Sequence, residues 1–172
     1  MAKTYTNLTA VATGDVLTAT NFNNAQTTIN NHTVPPACKA TRSSDLSFTT
    51  ATTIAWNSED FDTDAMHDTA TNNTRITANT DGIYIVTLAL SMTYTGTLTG
   101  ANVELMKNGA TFSYTSLQSS RTSDFVSAYT GITTAVATDY FEAKVTISGA
   151  TALIVKADTK CSFSAVWVGK TA

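Results

Sequence analysis

The sequence predicts an all-β domain, a sandwich or jelly roll, preceded by a short polar segment. Three observations predict it. Thr fills roughly one position in five of the 172 residues, and β-branched side chains favour strands over helices. After residue 36, several runs alternate apolar with small polar residues at a period of two. Such runs recur about every dozen residues with turn residues between them, the spacing of sandwiches and jelly rolls. A chain of this length holds one compact domain and a small appendage rather than two full domains.

The appendage covers residues 1–36 and the head domain residues 37–172. The break falls at Val34-Pro35-Pro36, where two prolines impose a stiff, extended path. Within the appendage the run from Thr20 to Ile29 predicts a short helix capped by Thr20. Phe22, Ala25 and Ile29 then share one face. A stripe this narrow is not stable alone and calls for a partner, either other copies of itself or a larger assembly.

In the head, Tyr84, Val86, Leu88, Leu90, Met92 and Tyr94 form the apolar face of a long strand. Its other face carries Ile83, Ile85, Thr87, Ala89 and Ser91, small and uncharged throughout. A sheet face turned to water normally carries Lys or Glu, so this one is expected to be covered. A second strand ends at Val103-Glu104-Leu105-Met106 and turns through Lys107-Asn108-Gly109, a strong hairpin signal. Phe141, Ala143, Val145 and Ile147 alternate with Tyr140, Glu142, Lys144 and Thr146, a strand with one wet face. Cys161, Phe163, Ala165 and Trp167 define the inner face of the last strand. For Tyr84, Tyr94, Phe141, Phe163 and Trp167 the spacing points to core or subunit packing rather than a ligand platform.

Composition excludes several classes of function. Charged residues are 13%, about half the usual share, and a net charge of −3 offers nothing to neutralise a row of phosphates. No run reaches the length that crosses a bilayer, and no secretory signal is visible behind Lys3. Nucleic acid and membrane insertion are therefore not expected. The two histidines, His32 and His67, stand far apart, and neither a nucleophile elbow nor a phosphate-cradling Gly loop is present. No pair of carboxylates stands out for glycoside hydrolysis. The chain is not expected to be an enzyme.

Two features keep alternatives open. Asp60, Asp62, Asp64 and Asp68 cluster in one turn, with a spacing that begins like a calcium loop. Ala65 and Thr71 then replace the Gly and Glu that such a loop requires. The choice lies between a solvated turn, with no cofactor, and a calcium site in another geometry. Cys38 and Cys161 fit neither a metal knuckle nor a redox pair, and they are either free buried thiols or one long-range disulfide.

Several segments together resemble the complement-type globular head, which shares the tumour-necrosis-factor jelly roll. They are Phe48 to Asn57, Phe61-Asp62-Thr63-Asp64-Ala65-Met66-His67-Asp68, Arg75-Ile76-Thr77-Ala78 and Asp81-Gly82-Ile83-Tyr84. The Lys107-Asn108-Gly109 hairpin and the closing run Cys161 to Trp167 match too, with Ala165 where that family usually has Gly. The likeness covers about residues 37 to 172. It implies a ten-stranded jelly roll that forms homotrimers through one sheet, which makes Ile83, Ile85, Thr87, Ala89 and Ser91 the candidate interface. It also implies that the first and last strands are neighbours, which would bring Cys38 and Cys161 near each other.

The segment Gly14 to Asn23 resembles N-terminal segments of tailed-phage fibre and virion proteins. That likeness implies a virion protein made in the host cytoplasm, bound to other virion proteins through residues 1–36. Leu17, Phe22, Ala25 and Ile29 are the anchor candidates. The head would decorate a capsid or end a fibre at the virion surface and meet a host-surface glycan or protein. The alternative is a soluble bacterial module that binds glycan or protein with the help of calcium.

Overall fold

The structure, a computed structural model, describes residues 18–121 and 125–171. It holds one helix, α1 (Ala19–Thr33), and ten strands. They are β1 (Ala37–Thr41), β2 (Leu46–Phe48), β3 (Thr52–Thr53), β4 (Ser58–Asp62) and β5 (Arg75–Thr77). β6 (Gly82–Lys107), β7 (Ala110–Arg121), β8 (Phe125–Ala135), β9 (Tyr140–Val155) and β10 (Ser162–Gly169) complete the set. All pairings are antiparallel, and the whole is the jelly-roll sandwich of the complement and tumour-necrosis-factor type.

One layer runs β4-β1-β10-β6-β8 and uses the first half of β6, in which Gly82 to Met92 pair with Ala135 to Phe125. The other is built on β9, flanked by β2, β3 and β5 on one side and by the second half of β6, then β7, on the other. The sequence suggests two separate strands where the structure has one of 26 residues. Thr95 to Gly100 bridge the halves with two register shifts and a left-handed Gly96 at φ 82°. That turn of the path carries β6 from one layer to the other without breaking it.

Alternation places the core where the spacing predicts it. Tyr84, Val86, Leu88, Leu90 and Met92 are buried, and Tyr94 packs partly exposed at the margin. Trp56 stacks on Phe163 with ring centroids 5.7 Å apart, and Tyr84 meets Phe141 at 5.4 Å. The Tyr84 hydroxyl donates to Thr80 O at 2.7 Å and the Trp167 indole to Asp81 O at 3.0 Å, so these polar tips are satisfied at the end of the core. Gly82 is required there. Its φ is 152°, and a Cβ would stand 2.2 Å from Trp167 Nε1 and 2.3 Å from Gly169 O. Asn108 and Gly109 both adopt positive φ, 51° and 79°, the geometry of a tight hairpin between β6 and β7.

The helix begins earlier and ends later than the sequence suggests. Thr18, not Thr20, caps it: its Oγ1 accepts from Asn21 N at 3.2 Å, and its carbonyl accepts from Phe22 N at 3.1 Å. Pro35 disfavours helical geometry at the residue before it, and the helix stops at Thr33. Thr63 then ties the connection down, donating to Pro35 O and accepting from Ala37 N.

The thiols do not form a disulfide. β1 and β10 are neighbours, but their register sets Cys38 opposite Ala165, four positions beyond Cys161. At strand rise that is about 13 Å, twice the span a disulfide bridges. Both thiols are free and buried, and burial pushes the Cys161 thiol up to about 11 and Cys38 higher still.

Candidate functional site

The outer face of the first layer is one candidate surface. Ile83, Ile85, Thr87 and Ala89 of β6 point outward and are half-buried by their neighbours, and Ser91 is buried. The same face continues onto β8, where Ile85 stands opposite Ile132, Thr87 opposite Thr130 and Ala89 opposite Ala128. Thr87 and Thr130 share a hydroxyl–hydroxyl bond of 3.1 Å. On the other side β10 adds Ser162, Ser164 and Val166 in register with Ala89, Thr87 and Ile85. Ile132 is 68% exposed, and Val126 and Val168 are also exposed. From β8 across β6 to β10 no outward residue is charged. The first ion pair of this layer stands beyond it, between Lys39 of β1 and Asp60 of β4 at 2.6 Å. All five interface candidates thus lie on one continuous neutral face. Sequence reasoning missed the β8 contribution, since Val126 and Ile132 carry no signal until register sets them beside β6.

The anchor candidates lie elsewhere. Phe22 is 67% exposed and Ile29 62%, with Ala25 half-buried between them on α1. Leu17 lies outside the described residues. No helix among the described residues is long and apolar enough to cross a membrane.

The carboxylates of the acidic turn are engaged with protein partners. Asp60 is held by Lys39. Asp62 spends its two oxygens on backbone amides, Oδ1 accepting from Asp64 N at 3.1 Å and Oδ2 from His67 N at 2.8 Å. Asp64 is buried, its Oδ2 3.5 Å from Thr80 Oγ1. Asp68 Oδ1 accepts from Ala70 N and Thr71 N, bonds that hold its carboxyl below the usual range. Among the described residues no three His, Cys, Asp or Glu side chains converge on a point where a metal ion could sit. Alternating carboxylates imitate ligand spacing, but here they organise their own loop.

That loop encloses His67, whose side chain is fully buried, with Nδ1 2.8 Å from Glu59 Oε1 and Nε2 3.4 Å from Asn73 O. Beside it a cleft of about 310 Å³ is lined by Met66, Asp68, Asn72, Arg75 and Asn79 among others. Arg75 lies flat on Tyr140, its Cζ 3.9 Å from the ring centroid, and its Nε donates to Glu142 Oε1 at 3.2 Å.

With this geometry established, the chain can be set beside known structures. Murine APRIL superposes with a TM-score of 0.60 at 10% identity, covering 77% of this chain and 98% of the other. Eiger, a TNF of S. frugiperda, gives 0.57 at 11% identity, covering 80% and 96%. The globular domain of zebrafish complement 1qA gives 0.57 at 9% identity, covering 79% and 98%. The fold is theirs. No family model and no curated protein matches the sequence itself. The likeness to complement heads drawn from sequence motifs is therefore upheld at the level of the fold.

Proposed function

We propose that the chain is a non-enzymatic structural and interaction protein that works as a homotrimer, packed through the outer face of the first layer. The continuous neutral face across β8, β6 and β10 carries this reading. Three copies of a charge near a common axis would repel in a dry interface, and here there is none to bury. The jelly roll of the superposed cytokine and complement domains is in keeping with it, as is the trimer that the sequence resemblance implies.

The finer reading is a tailed-phage virion protein, a capsid decoration or fibre appendage. Residues 1–36 would hold it to other virion proteins, with Phe22, Ala25 and Ile29 of α1 as the anchor stripe and the head exposed toward a host-surface glycan or protein. Its support is the likeness of Gly14 to Asn23 to phage fibre segments, together with a helix that exposes apolar side chains on an uncharged surface. Three modest sites on one rigid trimer gain avidity without any strong single contact.

Solution mass by light scattering tests the core of the proposal. The 18.2 kDa chain should run as a species of about 55 kDa, as closed three-fold symmetry requires, and so should a shortened chain beginning at Ala37. A monomeric head overturns the role given to the neutral face. A trimer that needs residues 1–36 moves the contact to α1.

A further inference from the structure

The cleft beside His67 belongs to the second layer, since β5, which supplies Arg75 and Thr77, pairs with β9. None of its lining residues belongs to the neutral face of β8, β6 and β10. Three of its polar side chains share one property: Arg75, Asp68 and Asn79 are each fixed at one end and unspent at the other. Arg75 is clamped by the Tyr140 ring and by Glu142 through Nε, while its Nη groups have no protein acceptor among the described residues. Asp68 is fixed through Oδ1 by two backbone amides, and no described residue donates to its Oδ2. Asn79 gives its amide hydrogens to Asp64 O at 2.6 Å and Ala65 O at 3.1 Å, leaving its carbonyl oxygen as an acceptor. The loop holds two non-glycine residues in the left-handed region at the cleft, Ala65 at φ 52° and Asn72 at φ 53°. Such backbone persists only where its surroundings enforce it. Asn79 grips the Ala65 carbonyl, and the Asn72 carbonyl accepts from Arg75 N at 3.0 Å.

We propose that this cleft binds a neutral sugar residue. Its unspent groups are a fork of donors and two acceptors around one cleft, the set that matches the hydroxyls of a sugar, each of which both donates and accepts. An anion is disfavoured by Asp68 and Glu142 beside the guanidinium, and a cation by the guanidinium itself. Ala65 lines the cleft with a small exposed apolar surface for the C–H face of a ring. The volume stands at the lower end of small-ligand sites, which suits one terminal sugar rather than a long stretch of chain. This assignment does not depend on the trimer. It supplies a concrete chemistry for host-surface contact if the virion reading holds.

The test is amide NMR of the deuterated full chain, titrated separately with the methyl glycosides of glucose, galactose, mannose, N-acetylglucosamine and rhamnose, and with sodium sulfate and calcium chloride as controls. At least one glycoside should shift the amides of Met66, Asp68, Thr71, Arg75 and Asn79 saturably, with a dissociation constant on the order of millimolar. Asp68→Asn keeps the acceptor for the loop amides, and Arg75→Lys keeps the charge without the fork. Each should weaken binding about tenfold while leaving the remaining spectrum in place. The proposal is overturned if no glycoside moves these amides, if sulfate or calcium moves them instead, or if both variants bind as the parent does. The solution mass of the same sample shows separately whether the trimer holds.

Discussion

The two layers share β6, one half to each, yet their outer faces differ in chemistry. On the first, the outward residues of β6 are Ile, Thr, Ala and Ser, and their cross-strand partners on β8 and β10 are equally neutral. On the second, Glu104 of β6 stands opposite Lys144 of β9, Glu142 pairs with Arg75, and Thr111 donates to Glu104 at 2.6 Å. Both halves satisfy the same core with the same alternation. Core packing therefore does not explain the difference, and under the proposed assembly what each outer face meets does. The charged face is built to stand in water. The neutral one lacks the Lys and Glu that keep an exposed sheet soluble.

Matched substitutions would break this comparison most directly. Ala89→Glu places a carboxylate in the middle of the neutral face and should dissociate the trimer, since an unpaired buried charge costs about 3–5 kcal/mol. Thr146→Glu, outward on β9 of the charged face, should leave the mass unchanged. Equal behaviour of the two variants in light scattering would remove the distinction between the faces. A milder pair comes next. Ile132→Ala should weaken assembly by about 1–2 kcal/mol, whereas Tyr114→Ala, equally exposed on β7 of the second layer, should change it by less than about 0.5 kcal/mol. Dilution series of both variants would measure this.

Acid gives the smallest effect. Asp45 and Asp139, at the starts of β2 and β9, titrate below the ordinary carboxylate value. For Asp45 the largest cause is the Lys156 ammonium, followed by the Ala157 amide. For Asp139, burial pulls upward, but hydrogen bonds from Asn108 and Val136 and the charge of Lys107 outweigh it. A lowered folded value means that the stabilisation is fully present above about pH 4 and disappears as pH falls through those lowered values. Melting temperature should decline in that window, while the neutral face, with nothing to titrate, should hold its trimer until the heads unfold. Dissociation that precedes unfolding between pH 4 and 3 would show that charge contributes to the contact after all.

What could be read from the sequence follows the range over which its signals act. Alternation from Tyr84 to Met92, the Asn108-Gly109 turn and the uncharged run of Ile83 to Ser91 are local, and all three reappear in the fold. The passage of β6 between layers was hidden, because Gly96 and Gly100 in Thr95-Gly96-Thr97-Leu98-Thr99-Gly100 interrupt the apolar alternation that marks either half. The acidic turn misled in the opposite sense. Its spacing is that of ligands, and only coordinates show Asp62 and Asp68 turned to backbone amides, Asp60 to a lysine and Asp64 to the Thr80 hydroxyl. The cleft was illegible altogether. Arg75 lies 65 positions before the ring it rests on, and Asn79 is a plain polar residue until its amide reaches the Asp64 and Ala65 carbonyls.

The position of β10 bears on the order of events during synthesis. It lies between β1 and β6, so the first strand of the head finds its sheet only through the last. A growing chain that has exposed β6 and β8 still shows a half-built neutral face, and β1 stays unpaired on that side until residues 162–169 leave the ribosome. At about 5–20 residues per second, the chain spends several seconds in that state. On the proposed assembly, a truncated or stalled product would lack the strand that completes the contact surface, so that only finished chains would join a trimer.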